Sequence, residues 1–266
     1  MARYGLKKCD RVAAMFYNTH HFAEVYFASL KLGASLTPVN SRFVGDEIEY
    51  ILNNSERAFF FFGQEFHETV SDIQDKPKTV SHFIGVNAGE QHVALDYETF
   101  LSSGDDREPE IQGSDEVCQI MYTSGTTGTP KGAMITHRNI FWNCMNTISC
   151  REHRPGEISL IIGPLFHAAG LDNHLTAQLA LWGTSILIKK FEPEEVLHHI
   201  AEDKANVISG STTVFNLLVH YPQLDQFDTR SITKCTSRSA ILRRLPWINP
   251  LAPSLTSFLF SRFACR

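Results

Sequence analysis

Long apolar runs are missing from this chain. None approaches the ~18 consecutive residues that a membrane span requires, so no transmembrane segment is expected. Basic charge is not in excess either: the formal net charge is -5, which leaves no electrostatic footprint for nucleic acid. Cys-x-x-Cys pairs are absent, and the six cysteines, at 9, 118, 144, 150, 235 and 265, have no histidine clusters beside them. That argues against a zinc site and predicts reduced thiols in a cytosolic protein. The opening MARYGLKKCDRVAAMFYN scatters charges among its apolar residues and lacks the apolar block of a secretory signal. The histidine pairs His20-His21 and His198-His199 are adjacent in sequence, so each pair points to different sides of a helix, which is poor metal geometry. Both pairs are expected at the surface.

What is present is a chain of 266 residues with 43% hydrophobic content, enough for one large or two small domains. Short apolar runs alternate with helical patterns. RVAAMFYN reads as a buried strand, and HHFAEVYFASLKLGA as a helix with Phe22, Val25, Tyr26 and Leu30 near helical spacing and Gly33 as its stop. SLTPVN is extended, DEIEYILNN is helical with Ile48, Ile51 and Leu52 on one face, and AFFFFG is a strand apolar on both faces. Strands of that last kind belong in a parallel sheet covered by helices. Residues 103–116 form an acidic surface loop. The rhythm resumes with the strand ISLIIG, a helix over 169–182, the strand TSILIKK, a helix opened by Pro193, the strand NVISGS and a helix at TVFNLLVHY. The fold class is α/β, a layered αβα sandwich rich in parallel sheet.

One segment is too polar to be core. MYTSGTTGTPKG, residues 121–132, carries three glycines, five Ser or Thr hydroxyls and one lysine. VCQIMYT before it and KGAMITH after it are both strand-like, so the loop links two strands, and Thr136 is placed to cap a following helix through RNIFWNCMN. A Walker A loop instead runs from a strand straight into a helix. Gly125 and Lys131 have Walker spacing, but Pro130 and Gly132 occupy the positions of its second glycine and final hydroxyl. The composition still suits phosphate: glycines let the backbone approach, hydroxyls donate, and the lysine brings positive charge. By composition alone a solvated Gly/Thr turn fits as well.

The longer string YTSGTTGTPKGAMITHRN resembles the signature of the adenylate-forming superfamily, which includes acyl-CoA synthetases. PLFHAAGL, residues 164–171, is similar to the next core motif of those enzymes. The opening GLKKCDRVAAMFYNTHHFAEVYFASLKLGASLTPVN resembles their first strands and helices, and the likeness covers about residues 5–237. It implies an AMP-forming acyl-CoA ligase. A carboxylate attacks the α-phosphorus of ATP, pyrophosphate leaves, and the acyl-adenylate is taken by the thiol of coenzyme A. By the same resemblance Thr123, Ser124, Gly125, Thr126, Thr127, Gly128 and Lys131 would clasp the phosphates, Thr127 would hold Mg2+, and Lys131 and His167 would be the catalytic residues. His167 would sit at the mouth of the acyl pocket; its other reading is a packed histidine capping a helix start. A histidine there favours acyl or aryl acids over amino acids, and the early helices favour a fatty acid.

The far end departs from the pattern. The glycine-rich adenine segment, the Tyr-Gly-x-Thr-Glu motif, the ribose-binding Asp and the small C-terminal domain with its lysine are not recognisable. Residues 229–266 hold no Asp or Glu but carry seven of the 24 lysines and arginines. The expected organisation is therefore a partial large domain over 1–237 and an atypical basic tail over 238–266. Such a tail is what leaving the ancestral reading frame near 238 would produce, by frameshift, splicing or gene-model error. Its alternative is a basic surface anchor, against which its lack of helical amphipathicity counts. A non-catalytic remnant that binds nucleotide or acyl ligand without turnover is the alternative to a ligase.

Overall fold

The computed structural model describes residues 1–56, 58–89, 94–104, 108–109, 113, 115–123 and 129–237, and the backbone of 257–260. Two compact units divide the chain, Met1–Phe141 and Trp142–Arg266.

The first unit runs β1 (Arg11–Met15), α1 (His20–Lys31), β2 (Ser35–Pro38), α2 (Gly45–Asn54), β3 (Phe59–Phe62), α3 (His67–Ser71), β4 (His82–Gly85), β5 (Leu95–Asp96), α4 (Tyr97–Ser102), β6 (Val117–Thr123) and β7 (Lys131–Thr136), and ends within α5 (His137–Cys150). Its seven strands lie in the order β5-β4-β3-β1-β2-β6-β7. All neighbours are parallel except β6 and β7. The cause is burial on both faces. Val12 to Met15 and all four phenylalanines of β3 are buried, and because successive side chains face opposite ways, both sides of the sheet need a helical cover. On one face Ile48, Ile51 and Leu52 of α2 pack with Ala13, Met15, Phe60 and Phe62. On the other, Phe100 of α4 meets the ring of Phe61 edge-on at 5.4 Å. Gly33, the expected stop of α1, has φ +70°, a backbone that glycine adopts without strain.

The second unit contains β8 (Ile158–Ile161), a π-helical turn at Leu171–Leu175, α6 (Thr176–Ala180), β9 (Thr184–Leu187), α7 (Pro193–Glu202), β10 (Val207–Ser209), α8 (Thr212–Val219), β11 (Lys234–Ser237) and β12 (Ser257–Phe260). Its five strands, in the order β12-β11-β10-β8-β9, are all parallel. Val196, Leu197 and Ile200 of α7 and Phe215 and Leu218 of α8 bury against Leu160, Ile208 and Cys235. The tail expected at 238–266 falls outside the described residues apart from β12, whose backbone pairs with β11.

The structure departs from expectation in three places. β4, β5 and α4 arise in a stretch with no clear sequence period. The helix read over 169–182 is shorter: it opens as the π turn and closes at Ala180, before Trp182 turns to φ +55°. The histidines also differ from expectation: the His20 and His21 rings lie 3.9 Å apart rather than on different sides of the helix, and His21 packs edge-on against Tyr97 at 4.8 Å, while His198 is exposed and His199 Nδ1 meets Asp203 Oδ2 at 2.6 Å at the surface. Among the described cysteines, Cys118, Cys144 and Cys235 are buried thiols and Cys9 and Cys150 are exposed.

Phe60→Ala should leave a cavity between β3 and α2 and cost about 3–5 kcal/mol. Urea unfolding followed on the first unit would read this as a lowered midpoint.

Candidate functional site

The polar loop joins the two antiparallel strands of the first sheet, as the flanking patterns predict. β6 is fixed from within: Gln119 is fully buried, and the Tyr26 hydroxyl of α1 donates to its Oε1 at 3.1 Å. β7 runs directly into α5 through a reciprocal cap. The Asn139 N–H donates to Thr136 Oγ1 at 3.2 Å, and the Thr136 N–H donates to Asn139 Oδ1 at 3.0 Å. This is the capping role expected of Thr136. At the loop's mouth Thr123 and Lys131 are cross-strand partners and both are exposed. Paired residues share one face of a sheet, so the hydroxyl and the ammonium stem flank the loop on the same side. Ser124, Gly125, Thr126, Thr127 and Gly128 lie outside the described residues.

The second motif sits at a different kind of position. In the second sheet the chain passes from β8 to β9 on one side and returns to β10 on the other, so the strand order reverses between β8 and β10. Open parallel sheets bind ligands at such reversals, outside the carboxyl ends of the strands. Ile161 of β8 and Ser209 of β10 are paired at those ends. PLFHAAGL follows the first and Gly210-Ser211-Thr212 the second. His167 is exposed, and its Nδ1 accepts the Ala169 N–H at 3.2 Å. It is therefore not a packed core histidine, although its ring does hold the turn that leads into the π helix.

Two residues of this region carry signals that the sequence reading did not use. Gly170 folds back on the start of its own motif: a Cβ there would lie 2.6 Å from both the Gly163 and Pro164 carbonyl oxygens. Buried His174, on the π turn, accepts from Arg151 Nη1 at 2.9 Å and contacts Ser209 Oγ, tying the turn to the end of β10. The closing glycine of PLFHAAG was the available clue to the first. Nothing local to His174 announces the second.

At the opposite, amino end of the same strands lies a buried ion network. Glu157, just before β8, accepts from His153 Nδ1 at 2.7 Å and from the Lys234 ammonium of β11, which also reaches the Glu152 carbonyl. Burial alone would push the Glu157 carboxyl up, but the hydrogen bonds and charges of His153 and Lys234 outweigh it and hold the carboxyl at about 2. No group of three or more His, Cys, Asp or Glu among the described residues is arranged to hold a metal.

Gly170→Ala should force the turn apart and cost about 1–3 kcal/mol, seen as a lowered thermal midpoint. Glu157→Gln, which strands the Lys234 charge, should cost about 3–5 kcal/mol at neutral pH. Because the folded carboxyl titrates below its ordinary 4.5, this stabilisation is complete above pH 4.5 and is lost as pH falls from there toward about 2. Denaturant titrations across that window should show the difference between wild type and variant shrinking with acid.

Comparison with known proteins agrees with this geometry. The AMP-binding enzyme family matches residues 1–266. The chain is 33% identical over 229 residues to a feruloyl-CoA synthase of Amycolatopsis sp, covering 86% of this chain and 44% of that protein. It is 29% identical over 272 residues to a long-chain-fatty-acid–CoA ligase of Bacillus subtilis (strain 168), covering 90% and 48%. It thus spans about half the length of the curated relatives it matches. Among solved structures it resembles the N-terminal domain of FACL13 from Mycobacterium tuberculosis, with a TM-score of 0.83 and 26% identity over 91% of this chain and 60% of that one. The anthranilate CoA ligase AuaEII, bound to anthranoyl-AMP, shares the fold at a TM-score of 0.89 and 19% identity, over 97% and 50%. With a hairpin that carries the YTSGTTGTPKG string, a parallel sheet buried on both faces and a family match along its whole length, the chain belongs to the AMP-binding enzyme family.

Proposed function

We propose that this chain serves an ATP-dependent acid–CoA ligase, in which the hairpin holds the phosphates of ATP while a carboxylic acid is activated. The observation that carries the reading is the pairing of Thr123 with Lys131 at the mouth of the loop. A carboxylate approaching the α-phosphorus brings anion against anion, so the barrier falls where fixed donors and positive charge face the phosphates. Lys131 supplies a mobile cation on an otherwise hydroxyl-rich hairpin, and Thr123 a donor on the same face. Attack forms an acyl O–P bond and releases pyrophosphate; the thiol of coenzyme A then displaces AMP from the acyl carbon. ATP and coenzyme A are the co-substrates. Magnesium, when bound, would add charge neutralisation at the phosphates, and Thr127, expected to hold it, lies outside the described residues.

His167, exposed at the strand-order reversal of the second sheet, is read as bordering the acyl pocket. The acid is a small molecule. Its finer assignment as a fatty acid follows the resemblance of the opening helices to acyl-CoA ligases. The feruloyl-CoA synthase relative favours the second reading, an aromatic acid, at 33% identity against 29% for the fatty-acid ligase. The cytosol is the compartment suggested by thiols without Cys-x-x-Cys spacing. No helix among the described residues is long and apolar enough to cross a membrane.

Acid-dependent exchange of labelled pyrophosphate into ATP, run with fatty and aromatic acids, tests the reading. Lys131→Ala should lower exchange by about 100-fold or more, the cost of removing one preorganised electrostatic donor. Exchange untouched by that substitution would overturn the role of the loop, and ATP binding without any exchange would select a nucleotide-binding chain with no turnover of its own.

A further inference from the structure

The phosphate hairpin is held from outside its own strands. α2 presents Tyr50 and Asn54 four residues apart, and side chains at that spacing stand on one helix face. Each reaches a different strand of the hairpin. The Tyr50 hydroxyl donates to the Pro130 carbonyl at 3.2 Å, immediately before Lys131. Asn54 Oδ1 accepts from the Tyr122 hydroxyl at 2.6 Å, immediately before Thr123. Each contact therefore touches the residue next to one member of the pair that flanks the loop.

The geometry leaves little slack in between. Tyr122 and Gly132 are cross-strand partners. A Cβ on Gly132 would lie 2.8 Å from Ile120 Cγ2 and 3.2 Å from the Tyr122 ring, so the ring rests on bare backbone. A tyrosine laid over a cross-strand glycine pins strand register. Both tyrosine rings are also packed against the core of the first unit. α2 is a firm base for this. Ile48, Ile51 and Leu52 are fully buried, and Glu47 caps its start by accepting the Val44 N–H at 3.0 Å.

We propose that Tyr50 and Asn54 are positioning residues that clamp the two strands of the phosphate hairpin and so set where Lys131 stands when ATP arrives. The inference rests on the reading of the hairpin as the ATP phosphate site. Neither side chain is one of the residues that the loop signature contains. Their part is to fix the frame from which Lys131 and Thr123 project, because a catalytic donor is useful only when held in place before the reaction.

Tyr50→Phe removes one hydroxyl and keeps the packed ring, so the variant should fold. In pyrophosphate exchange by the full chain, its KM for ATP should rise about fivefold, the worth of one net hydrogen bond, with KM for the acid unchanged and the thermal midpoint nearly so. Asn54→Leu should act in the same direction, whereas Asn54→Asp, which keeps an acceptor for Tyr122, should restore wild-type values. A general loss of stability would move both KM values and the midpoint together and would not distinguish Asp from Leu. Amide hydrogen exchange at Lys131 to Ala133 in the nucleotide-free chain gives a second readout, expected to quicken in Tyr50→Phe and Asn54→Leu. Wild-type protein that binds no ATP would overturn the reading of the loop; in wild-type protein that binds ATP without pyrophosphate exchange, amide exchange would decide the clamp alone. Unchanged amide protection in both variants, or an unchanged KM for ATP in an active enzyme, would overturn the inference.

Discussion

Val12, Ala13, Ala14 and Met15 are buried one after another, and beside them stand four buried phenylalanines. A strand whose every side chain is enclosed has no face left for chemistry, and a sheet assembled from such strands can act only at its ends, its edges and its turns. Both candidate motifs obey this constraint. The polar loop is carried by the one antiparallel pair that the first sheet has among the described residues, at its edge. PLFHAAGL leaves the carboxyl end of β8, where the second sheet reverses its order.

The strands that carry these sites are held by buried polar contacts that would be expensive alone. Gln119 spends its amide on Tyr26 and so fixes β6 beneath the loop. Glu157 gathers His153 and Lys234, which links the segment before β8 to β11. Removing one partner from such an arrangement leaves a group with neither water nor counter-charge. Precise placement at the strand ends therefore depends on residues that the chemistry itself never touches.

Much of the fold was legible because its signals are local. AFFFFG could only be an enclosed strand, Pro193 could open a helix but not continue one, and Thr136 caps α5 in the predicted way. The link between two strands, rather than a strand and a helix, followed from the extended pattern on both sides of the loop. β4 and β5 were not legible, because His82–Gly85 and Leu95–Asp96 are short and only their pairing with neighbours makes them strands. The π turn escaped for a related reason: it begins where Gly170 closes on Gly163 and Pro164, a contact within a loop that helical periodicity does not encode. Of the candidate site, Thr123, Lys131 and His167 could be named from motifs. Tyr50, Asn54 and His174 could not, since their partners lie 80, 68 and 35 residues away along the chain.

The cysteines carry a different consequence. Cys118 is buried in the first unit, and Cys144 and Cys235 in the second. Burial pushes the Cys235 thiol up to about 12, and a thiol that is neutral and enclosed does not react with an alkylating reagent. Each becomes reactive only when its surroundings open. Among the described residues the chain thus contains its own chemical clocks, one in the first unit and two in the second, and the order in which they are labelled would record which half of the protein breathes first.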